Sequence, residues 1–476
     1  MRTLRPVGIG PIVDEYLDSE LGDARLDGRL RRLASKLGEA PARSFPELFR
    51  DPSQLEATYR FFANDTVLYS DILEPHVQAM LVRAARYDTV RIVHDTTTFS
   101  YDGEREGLRT VSNGKPGFLG HFALAVTADE ERVPLGVMGL RPLVHQHAEL
   151  RRTQSLAKTT WLRRRTPRAA KESGRWESLA IETQGRLPEG IDAIHIMDQE
   201  ADDYLLFAAL LEAELRFIVR GWSGRLLADK SATVAEAMTK QQGQLLRTVR
   251  ISTRSKKAST RQRAPRVERM AELHARWNAL ELKRPSTAET EVQVVPVWVV
   301  NVFEPNPPEG EEPIEWTLFT SEPITTLDDA ATVIDHYRAR WVIEEYFKAL
   351  KTGCSVEKRQ LTTYAGLLRA VAVFAPIAWH LLALRTLARL QGAVPAAMLF
   401  KPEQLELLAA LLNEHRCAVR LGPKPTARDA MLAIASLGGH LPRNGEPGWL
   451  VLGRGYEDFL ASEKAWLLAR TMSSTK

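Results

Sequence analysis

The chain has 476 residues, of which 26% are charged, and a formal net charge of +4; this length accommodates two or three domains and excludes a small stapled scaffold. Only two cysteines occur, Cys354 and Cys417, which excludes a disulfide framework or a thiolate zinc site and is typical of a reducing compartment. Any bound metal is therefore expected on oxygen or imidazole ligands.

The N-terminal segment has the spacing of an amphipathic helix between a candidate cap at Asp23 and Gly38. Its apolar seam consists of Leu26, Leu30, Leu33 and Leu37. A basic seam beside it consists of Arg25, Arg29, Arg32 and Lys36. This basic seam is either a solvated helix face or a DNA contact. A further helical stretch follows, PSQLEATYRFFAND, so residues up to about 70 are predicted to form a small helical unit.

The pattern changes to that of β-strands from Thr89, in VRIVHDTTTFSY, GHFALAVTA and RVPLGVMGL. The next stretch, DAIHIMDQEADDYLLFAALLEAELRFIVRGW, alternates strand, helix and strand, which predicts a largely parallel α/β sheet. Asp198 falls at the carboxyl end of its strand. Open α/β sheets bind their ligands at that edge, so Asp198 is a candidate site residue.

Residues 222–325 are predicted to be rich in β-strands, because VQVVPVWVVNVF and IEWTLFTS have strand patterns on either side of a Pro-rich turn. A long helix is then expected to begin with Asp328 or Asp329 as its cap and to end near Gly353. The remainder is Leu- and Ala-rich helix, broken at 422–425 and at GGHLPRNGEPG.

The most apolar long stretch, at about 365–390, is interrupted by charged residues, which favours a buried helix over a membrane span of about 20 apolar residues. The N-terminal residues lack the apolar core of a secretory signal. We therefore expect a cytoplasmic protein that does not bind a membrane.

Two basic blocks stand out against the mild net charge. Residues Arg247 to Arg269 include nine basic side chains and one acid, and Arg151 to Lys171 include eight basic side chains and no acid. Either block alone is compatible with a solvated, mobile loop. The two together favour a polyanionic partner, because such charge density repels itself unless phosphate or solvent accommodates it.

Three carboxylates are candidates for catalysis. Asp95 lies within a predicted central strand, where an acid is costly to bury unless it is paired or bound to metal; the alternative is a turn cap with Thr96 to Thr98. For Asp198 the alternative is an ordinary helix N-cap. The third is Glu344. It belongs to a series of residues that are 3, 4, 4 and 3 positions apart and therefore share one helix face: Tyr337, Arg340, Glu344, Lys348 and Lys351.

That helix face has two interpretations. One is an exposed ladder of ion pairs. The other is a phosphodiester-binding face, in which the carboxylate holds a cation and the neighbouring arginine and lysine side chains hold phosphate oxygens. Acids from two strands and a later helix would converge in an RNase H-like sheet. Two divalent ions held there would activate a water or a 3′-hydroxyl for in-line phosphoryl transfer. Hard cations prefer oxygen ligands, which indicates Mg²⁺, with Mn²⁺ as a substitute.

The motifs resemble those of the DDE transposases of bacterial insertion sequences, specifically the IS-four family. Its Tyr, Arg, Glu, Lys signature, with two, three and six intervening residues, is matched by Tyr337, Arg340, Glu344 and Lys351. DQEAD from Asp198 resembles the family's Asp-Arg-Glu-Ala-Asp run, with glutamine in place of arginine, and DTTTFSY from Asp95 resembles its first motif. Further similarity, such as KESGRW, WTLFTSEP and LGGHLP, covers nearly the whole chain.

The resemblance implies roles for individual residues. Asp95, Asp198 and Glu344 would be the catalytic metal ligands. The contacts to DNA near the scissile phosphate would be Tyr337, Arg340, Lys348, Lys351 and Arg220. Trp316 would accommodate a base flipped from the duplex, although a tryptophan on this strand could equally belong to the core.

The resemblance also implies the organisation of the chain. The expected parts are a helical DNA-end-binding domain at 1–70, an RNase H-like α/β catalytic core at 71–221 and 326–365, a β-rich insertion at 222–325, and a helical dimerisation region at 366–476. The implied partners are double-stranded DNA, as transposon ends and target, and a second copy of the chain in the DNA complex.

The implied activity is cut-and-paste transposition, with cleavage through a hairpin and joining of the 3′ ends to target DNA. Three alternatives remain open from the residues. One is an RNase H-like nuclease or resolvase without strand transfer, and another is a non-catalytic DNA-binding descendant. The third, a sugar hydrolase with paired carboxylates, leaves the basic blocks unexplained.

Overall fold

The computed structural model describes residues 10–144, 174–253, 266–288, 290–390 and 394–474. They divide into two compact units. The first takes its described residues from Met1–Asp88, Thr96–Arg164 and Val342–Lys476, and the second takes them from Thr89–Asp95 and Arg165–Trp341. Both units combine helices and strands, so the chain is mixed α/β, as predicted.

The described helices and strands follow one another along the chain. The N-terminal ones are α1 (Ala24–Glu39), α2 (Phe45–Leu48), α3 (Pro52–Ala63), α4 (Tyr69–Ala84), β1 (Thr89–Ser100), β2 (Arg109–Thr110), β3 (Pro116–Thr127) and β4 (Pro134–Leu143). The central ones are α5 (Gly174–Arg186), β5 (Asp192–Met197), α6 (Tyr204–Glu212), β6 (Arg216–Gly221), α7 (Val234–Thr239), β7 (Gln244–Ile251), β8 (Arg269–Lys283), β9 (Val294–Phe303) and β10 (Glu315–Thr320). The C-terminal ones are α8 (Leu327–Tyr337), α9 (Arg340–Lys348), α10 (Tyr364–Arg389), α11 (Pro402–Glu414), α12 (Ala427–Leu437) and α13 (Trp449–Ser474).

Helix α1 of the first unit confirms the predicted cap, because the Asp23 carboxylate accepts a hydrogen bond from the Arg25 N–H at 2.8 Å. The expected end before Gly38 is wrong, because the helix continues to Glu39. A Cβ at Gly38 would lie 2.4 Å from Cγ2 of Ile12. Glycine at this position therefore permits close packing and does not terminate the helix.

Helix α10 is long and apolar enough to span a membrane, and it is the one such helix in the part of the chain that the structure describes. The core helix of a soluble protein can have the same length and composition, and 83% of the most apolar segment of α10 is buried within the structure. Its buried Arg369 donates to the carbonyl oxygens of Val67 and Phe62 at 2.7 and 2.8 Å. The stretch is thus a buried helix of the first unit, as its interrupting charges predicted.

The second unit is organised by a sheet with the order β1-β5-β6-β10-β9-β8-β7. Strand β5 is parallel to both β1 and β6, and β6 is reached through α6, which confirms the predicted strand-helix-strand unit. The pairs from β6 to β10 and onward to β7 are antiparallel. Phe207 of α6 packs its ring against those of Phe217 and Phe319, each with centroids 5.7 Å apart, in the core of this unit.

The predicted long helix before Gly353 is wrong in two respects. It begins with Thr326 as its cap, because the Thr326 hydroxyl accepts the N–H of Asp329 while the Asp329 carboxylate accepts the N–H of Thr326 in a capping box. It is also interrupted between α8 and α9, where the Ala339 N–H binds the carbonyl of His336, three residues back. A π-helical turn, Ala349–Gly353, follows α9.

Candidate active site

Asp95 lies on β1, and Asp198 directly follows β5, the neighbouring parallel strand of the second unit. Val93 of β1 pairs with Ile196 of β5, and the same register continued by two residues brings Asp95 opposite Asp198. Neighbouring strands lie about 4.8 Å apart. The sheet therefore brings two carboxylates from distant parts of the sequence to one level, at the carboxyl end of β5.

Asp198 also caps a short 3₁₀ turn, because its Oδ1 accepts the N–H of Glu200 at 2.8 Å. The capping interpretation of Asp198 is therefore correct. It does not exclude a second role, because an ionised carboxylate has about four lone-pair sites and one cap bond uses one of them. Asp95 instead lies within β1, so the turn-cap alternative for this residue is wrong.

Arg340 is the charged partner of Asp95. A terminal nitrogen of its guanidinium lies 3.5 Å from Asp95 Oδ2, and the two side chains are only 13% and 14% exposed. A carboxylate in such a position requires a positive partner, since burial of an uncompensated charge is costly. The first turn of α9 thus supplies a cation to the strand that carries Asp95.

Tyr337 lies among these charged groups. Burial raises the pKa of its hydroxyl to about 12; the charges of Arg340 and Arg220 oppose the rise and the charge of Asp198 adds to it. Its ring lies 5.8 Å from that of Trp316, centroid to centroid. The second unit therefore brings together six of the predicted site residues, namely Asp95, Asp198, Arg220, Trp316, Tyr337 and Arg340.

Two buried histidines and a half-buried glutamine lie in a row next to this cluster, and they were not among the predicted site residues. His94 and His195 are 2.9 Å apart, ring nitrogen to ring nitrogen, and His195 is 3.1 Å from the Gln184 amide oxygen. Burial lowers the pKa of His195 to about 3. This imidazole, on the strand that leads to Asp198, is therefore uncharged at neutral pH. The signal in the sequence was the histidine adjacent to Asp95, which follows the apolar residues Ile92 and Val93 of the same strand.

The first unit carries the remaining predicted residues of the helix face. Lys348 of α9 donates to Glu345, the neighbour of Glu344, at 2.6 Å. Lys351, on the π-helical turn, donates to the carbonyl oxygen of Thr98 at 2.5 Å. Burial lowers the pKa of Lys351, against the opposing charge of Glu357. π-Helical turns recur at functional sites, and this one directs a lysine towards the end of β1 that belongs to the same unit.

The donor chemistry of Asp95, Asp198 and Glu344 suits a hard divalent cation, because all three supply carboxylate oxygens. Among the residues that the structure describes, however, no group of three or more His, Cys, Asp and Glu side chains could hold a metal ion. Arg340 compensates Asp95 instead. The assignment of these three carboxylates as metal ligands stays a prediction.

Two family models match the chain. Residues 12–67 match the model described as transposase DNA-binding, and residues 148–373 match the transposase DDE domain. Both matches support a DDE transposase. The second match includes Asp198 and Glu344 and begins after Asp95.

A solved structure is also similar to the chain, the cryo-EM structure of the piggyBac transposase synaptic complex with hairpin DNA. The TM-score is 0.31 and the sequence identity is 11%, over 78% of this chain and 64% of that chain. The match thus spans less than two thirds of the piggyBac chain.

The basic seam on α1 lies within the DNA-binding match. Arg25, with a side chain 91% exposed, pairs with Asp23, and Arg32 is exposed. Arg29 donates to Gln54 at 2.7 Å, and Lys36 pairs with Glu39 at 3.0 Å. The seam is therefore partly engaged within the protein, and its predicted contact with DNA stays a prediction.

The basic block from Arg151 to Lys171 lies outside the described residues. In the other block, the described arginines belong largely to the β7–β8 hairpin and hold acidic partners. Arg247 pairs with Asp335 at 2.8 Å, Arg250 with Glu268 at 2.6 Å, and Arg269 with Glu304. Ion pairing within the protein thus accounts for part of the charge that suggested a polyanionic partner.

Proposed function

We propose that the protein is a cut-and-paste transposase of the IS-four family that cleaves DNA at transposon ends and joins the 3′ ends to target DNA. The observation that carries the proposal is the cluster in the second unit, where Asp95 and Asp198 share a level of the sheet beside Arg340, Arg220 and Tyr337. The two transposase family matches support the same class of activity.

The side chains of the cluster have complementary roles in this proposal. Arg220 and Arg340 would hold phosphate oxygens, since guanidinium groups bind phosphate through paired N–H donors. Tyr337, with its raised pKa, would remain a neutral hydrogen-bond donor at the pH of the reaction. When DNA replaces Asp95 as the partner of Arg340, Asp95 would become available to a cation.

Asp95, Asp198 and Glu344 would hold the divalent metal, which we propose to be Mg²⁺ with Mn²⁺ as a substitute. The metal would activate the attacking hydroxyl group and stabilise the leaving oxygen. Glu344 lies one helical turn beyond Arg340 on α9. The two side chains therefore share a helix face.

We also propose that the core is RNase H-like, that two copies act together on DNA, and that the protein is cytoplasmic. The last turns of α13 offer apolar side chains for self-association: Leu467, Leu468 and Met472 are 50%, 63% and 66% exposed. Exposed apolar patches commonly mark interaction surfaces. Light scattering with and without end DNA tests the assembly.

The decisive experiment uses the full chain and a linear DNA that carries the element's own ends, with Mg²⁺. Wild type is expected to give nicked, hairpin and strand-transfer products, whereas Asp198→Ala and Glu344→Ala give none. Asp192→Ala is the matched control, because Asp192 lies at the opposite end of β5 and pairs with Arg216 at 3.3 Å. Equal cleavage by wild type and Glu344→Ala would contradict the proposed site.

The same experiment separates the alternatives. Cleavage without any joined product, even when target DNA is supplied, indicates a nuclease or resolvase. Binding of end DNA without cleavage indicates a non-catalytic descendant. When target DNA is omitted, joining is blocked, and the accumulation of excised ends whose hairpins have been opened by water supports the proposed order of steps.

A further inference from the structure

Trp222 lies directly after β6 and extends the cluster of the second unit. Gly221 of β6 pairs with Thr317 of β10, and the same antiparallel register continued by one residue brings Trp222 opposite Trp316. Directly opposed residues on antiparallel strands lie on the same face of the sheet. The backbone at Trp222 thus lies beside that at Trp316, the residue to which the family resemblance gives a role with a flipped base.

The Trp222 indole lies close to Gly224 in its own loop. A Cβ at Gly224 would lie 2.3 Å from Cζ2 and 2.5 Å from Cε2 of the indole, so any larger residue at 224 would displace the ring. The residue is nevertheless 62% exposed. One side of the ring therefore packs on backbone while much of the rest faces solvent, as in a platform for a planar ligand.

Asp202, the last residue of the DQEAD motif, fixes this loop. Its Oδ2 accepts the backbone N–H of Trp222 at 2.7 Å, and its Oδ1 accepts Nε of Arg225 at 2.8 Å. Arg225 also donates to the Asp202 carbonyl at 2.6 Å. The Asp202 side chain is only 8% exposed. The platform is consequently preorganised, which reduces the entropy that a ligand must remove on binding.

The surroundings of Trp222 select the class of ligand. Arg220 precedes it by two residues, on the same face of the strand, and Arg220 and Arg340 are both close enough to Tyr337 to influence its hydroxyl. An exposed indole beside guanidinium groups fits a base that has left its stack, because the ring replaces the lost neighbour and the arginines neutralise the flanking phosphates. A purely apolar partner would not use these charges.

We propose that Trp222 is a second stacking site, which takes a nucleobase displaced from the DNA duplex beside the one assigned to Trp316. The proposal rests on the proposed function for its natural ligand, the transposon end. Each of the two tryptophans would take one displaced base. Asp202 is the positioning residue of this platform.

The test measures binding without catalysis, so that it does not depend on the metal site. The full chain is titrated in EDTA with a short oligothymidylate and with an abasic oligomer of the same length, which keeps the phosphates and lacks the bases. Trp222→Ala is expected to weaken binding of oligothymidylate by at least about fivefold, the lower end for loss of one base–aromatic stack. Binding of the abasic oligomer should be unchanged, and Trp222→Phe should restore most of the loss.

A fluorescent base gives a second readout. 2-Aminopurine in the oligomer is expected to be quenched by wild type and less quenched by Trp222→Ala. Trp466→Ala is the matched control, since Trp466 lies on α13 beneath Arg470, at 4.7 Å, in the other unit. Equal binding of oligothymidylate by wild type and Trp222→Ala overturns the proposal, as does an equal loss for the abasic oligomer. A failure of the proposed function gives a different result: the protein would still bind oligothymidylate through Trp222 but would not cleave end DNA.

Discussion

Glu345, the residue after Glu344, accepts a hydrogen bond from the guanidinium of Arg385 at 2.8 Å. The same carboxylate oxygen accepts the indole N–H of Trp449 at 3.3 Å, and the other oxygen accepts Lys348 at 2.6 Å. Glu345 therefore joins α9 to α10 and α13 within the first unit. Two adjacent glutamates on one helix thus have different predicted roles, structural for Glu345 and catalytic for Glu344.

The first prediction compares these two glutamates. Glu345→Ala is expected to reduce the free energy of unfolding by about 2 kcal/mol, because it leaves the buried Arg385 guanidinium without its carboxylate. Glu344→Ala is expected to abolish DNA cleavage with little change in stability. Denaturant titration and the cleavage assay on the same two proteins check the prediction, and a reversed pattern would contradict the assignment of Glu344.

The second prediction concerns the contact between Arg340 and Asp95. The guanidinium repels a divalent cation from a carboxylate 3.5 Å away, so Arg340→Ala is expected to tighten Mn²⁺ binding to the free protein by about tenfold. Electron paramagnetic resonance of Mn²⁺ measures this directly. Arg250→Ala, which removes an exposed ion pair with Glu268, should change nothing. Weaker Mn²⁺ binding by Arg340→Ala would show that the arginine does not compete for Asp95.

The third prediction tests the Asp202 loop. Asp202→Asn leaves the charge of Arg225 without a partner, with side chains 8% and 15% exposed, and should reduce the free energy of unfolding by about 3 kcal/mol. It should also increase the mobility of Trp222, measured by ¹⁹F NMR of protein labelled with 5-fluorotryptophan, in which the Trp222 resonance is assigned as the one lost in Trp222→Phe. The control is Asp102→Asn, whose ion pair with Lys115 is exposed and should contribute nothing measurable. Identical unfolding curves for Asp202→Asn and wild type would show that Asp202 does not stabilise the loop that carries Trp222.

The fourth prediction concerns acid stability. The folded chain keeps His195 neutral down to about pH 3, whereas the ordinary pKa is 6.5. As the pH falls, His195 of the unfolded chain therefore binds a proton before His195 of the folded chain does. The contribution of neutral His195 to the free energy of unfolding is complete above pH 6.5. It is lost as the pH falls towards 3, by about 1.4 kcal/mol per pH unit. His195→Gln should flatten this slope, whereas His415→Gln at an exposed position should not. An unchanged slope in His195→Gln would argue against the neutral buried imidazole.

Much of the local structure was predictable because it depends on neighbours in the sequence. The Asp23 cap, the strand at β1 and the β5–α6–β6 unit follow from side-chain spacing and capping chemistry. The prediction failed where tertiary packing outweighs local preference. Strand β8 has the sequence RMAELHARWNALELK, which is rich in good helix formers and was not predicted as a strand. Its pairing with β7 on one side and β9 on the other outweighs that preference.

The sequence by itself determined which residues are candidates for catalysis, because the spacing around Glu344 and the acids after two strands are properties of the chain alone. Only the tertiary structure decided what these residues contact. The register of β1 and β5 aligns Asp95 with Asp198, and the fold places Arg340 in an ion pair with Asp95. Register and ion pairing join residues far apart in the sequence, so their choice depends on the packing of whole elements and not on any local pattern.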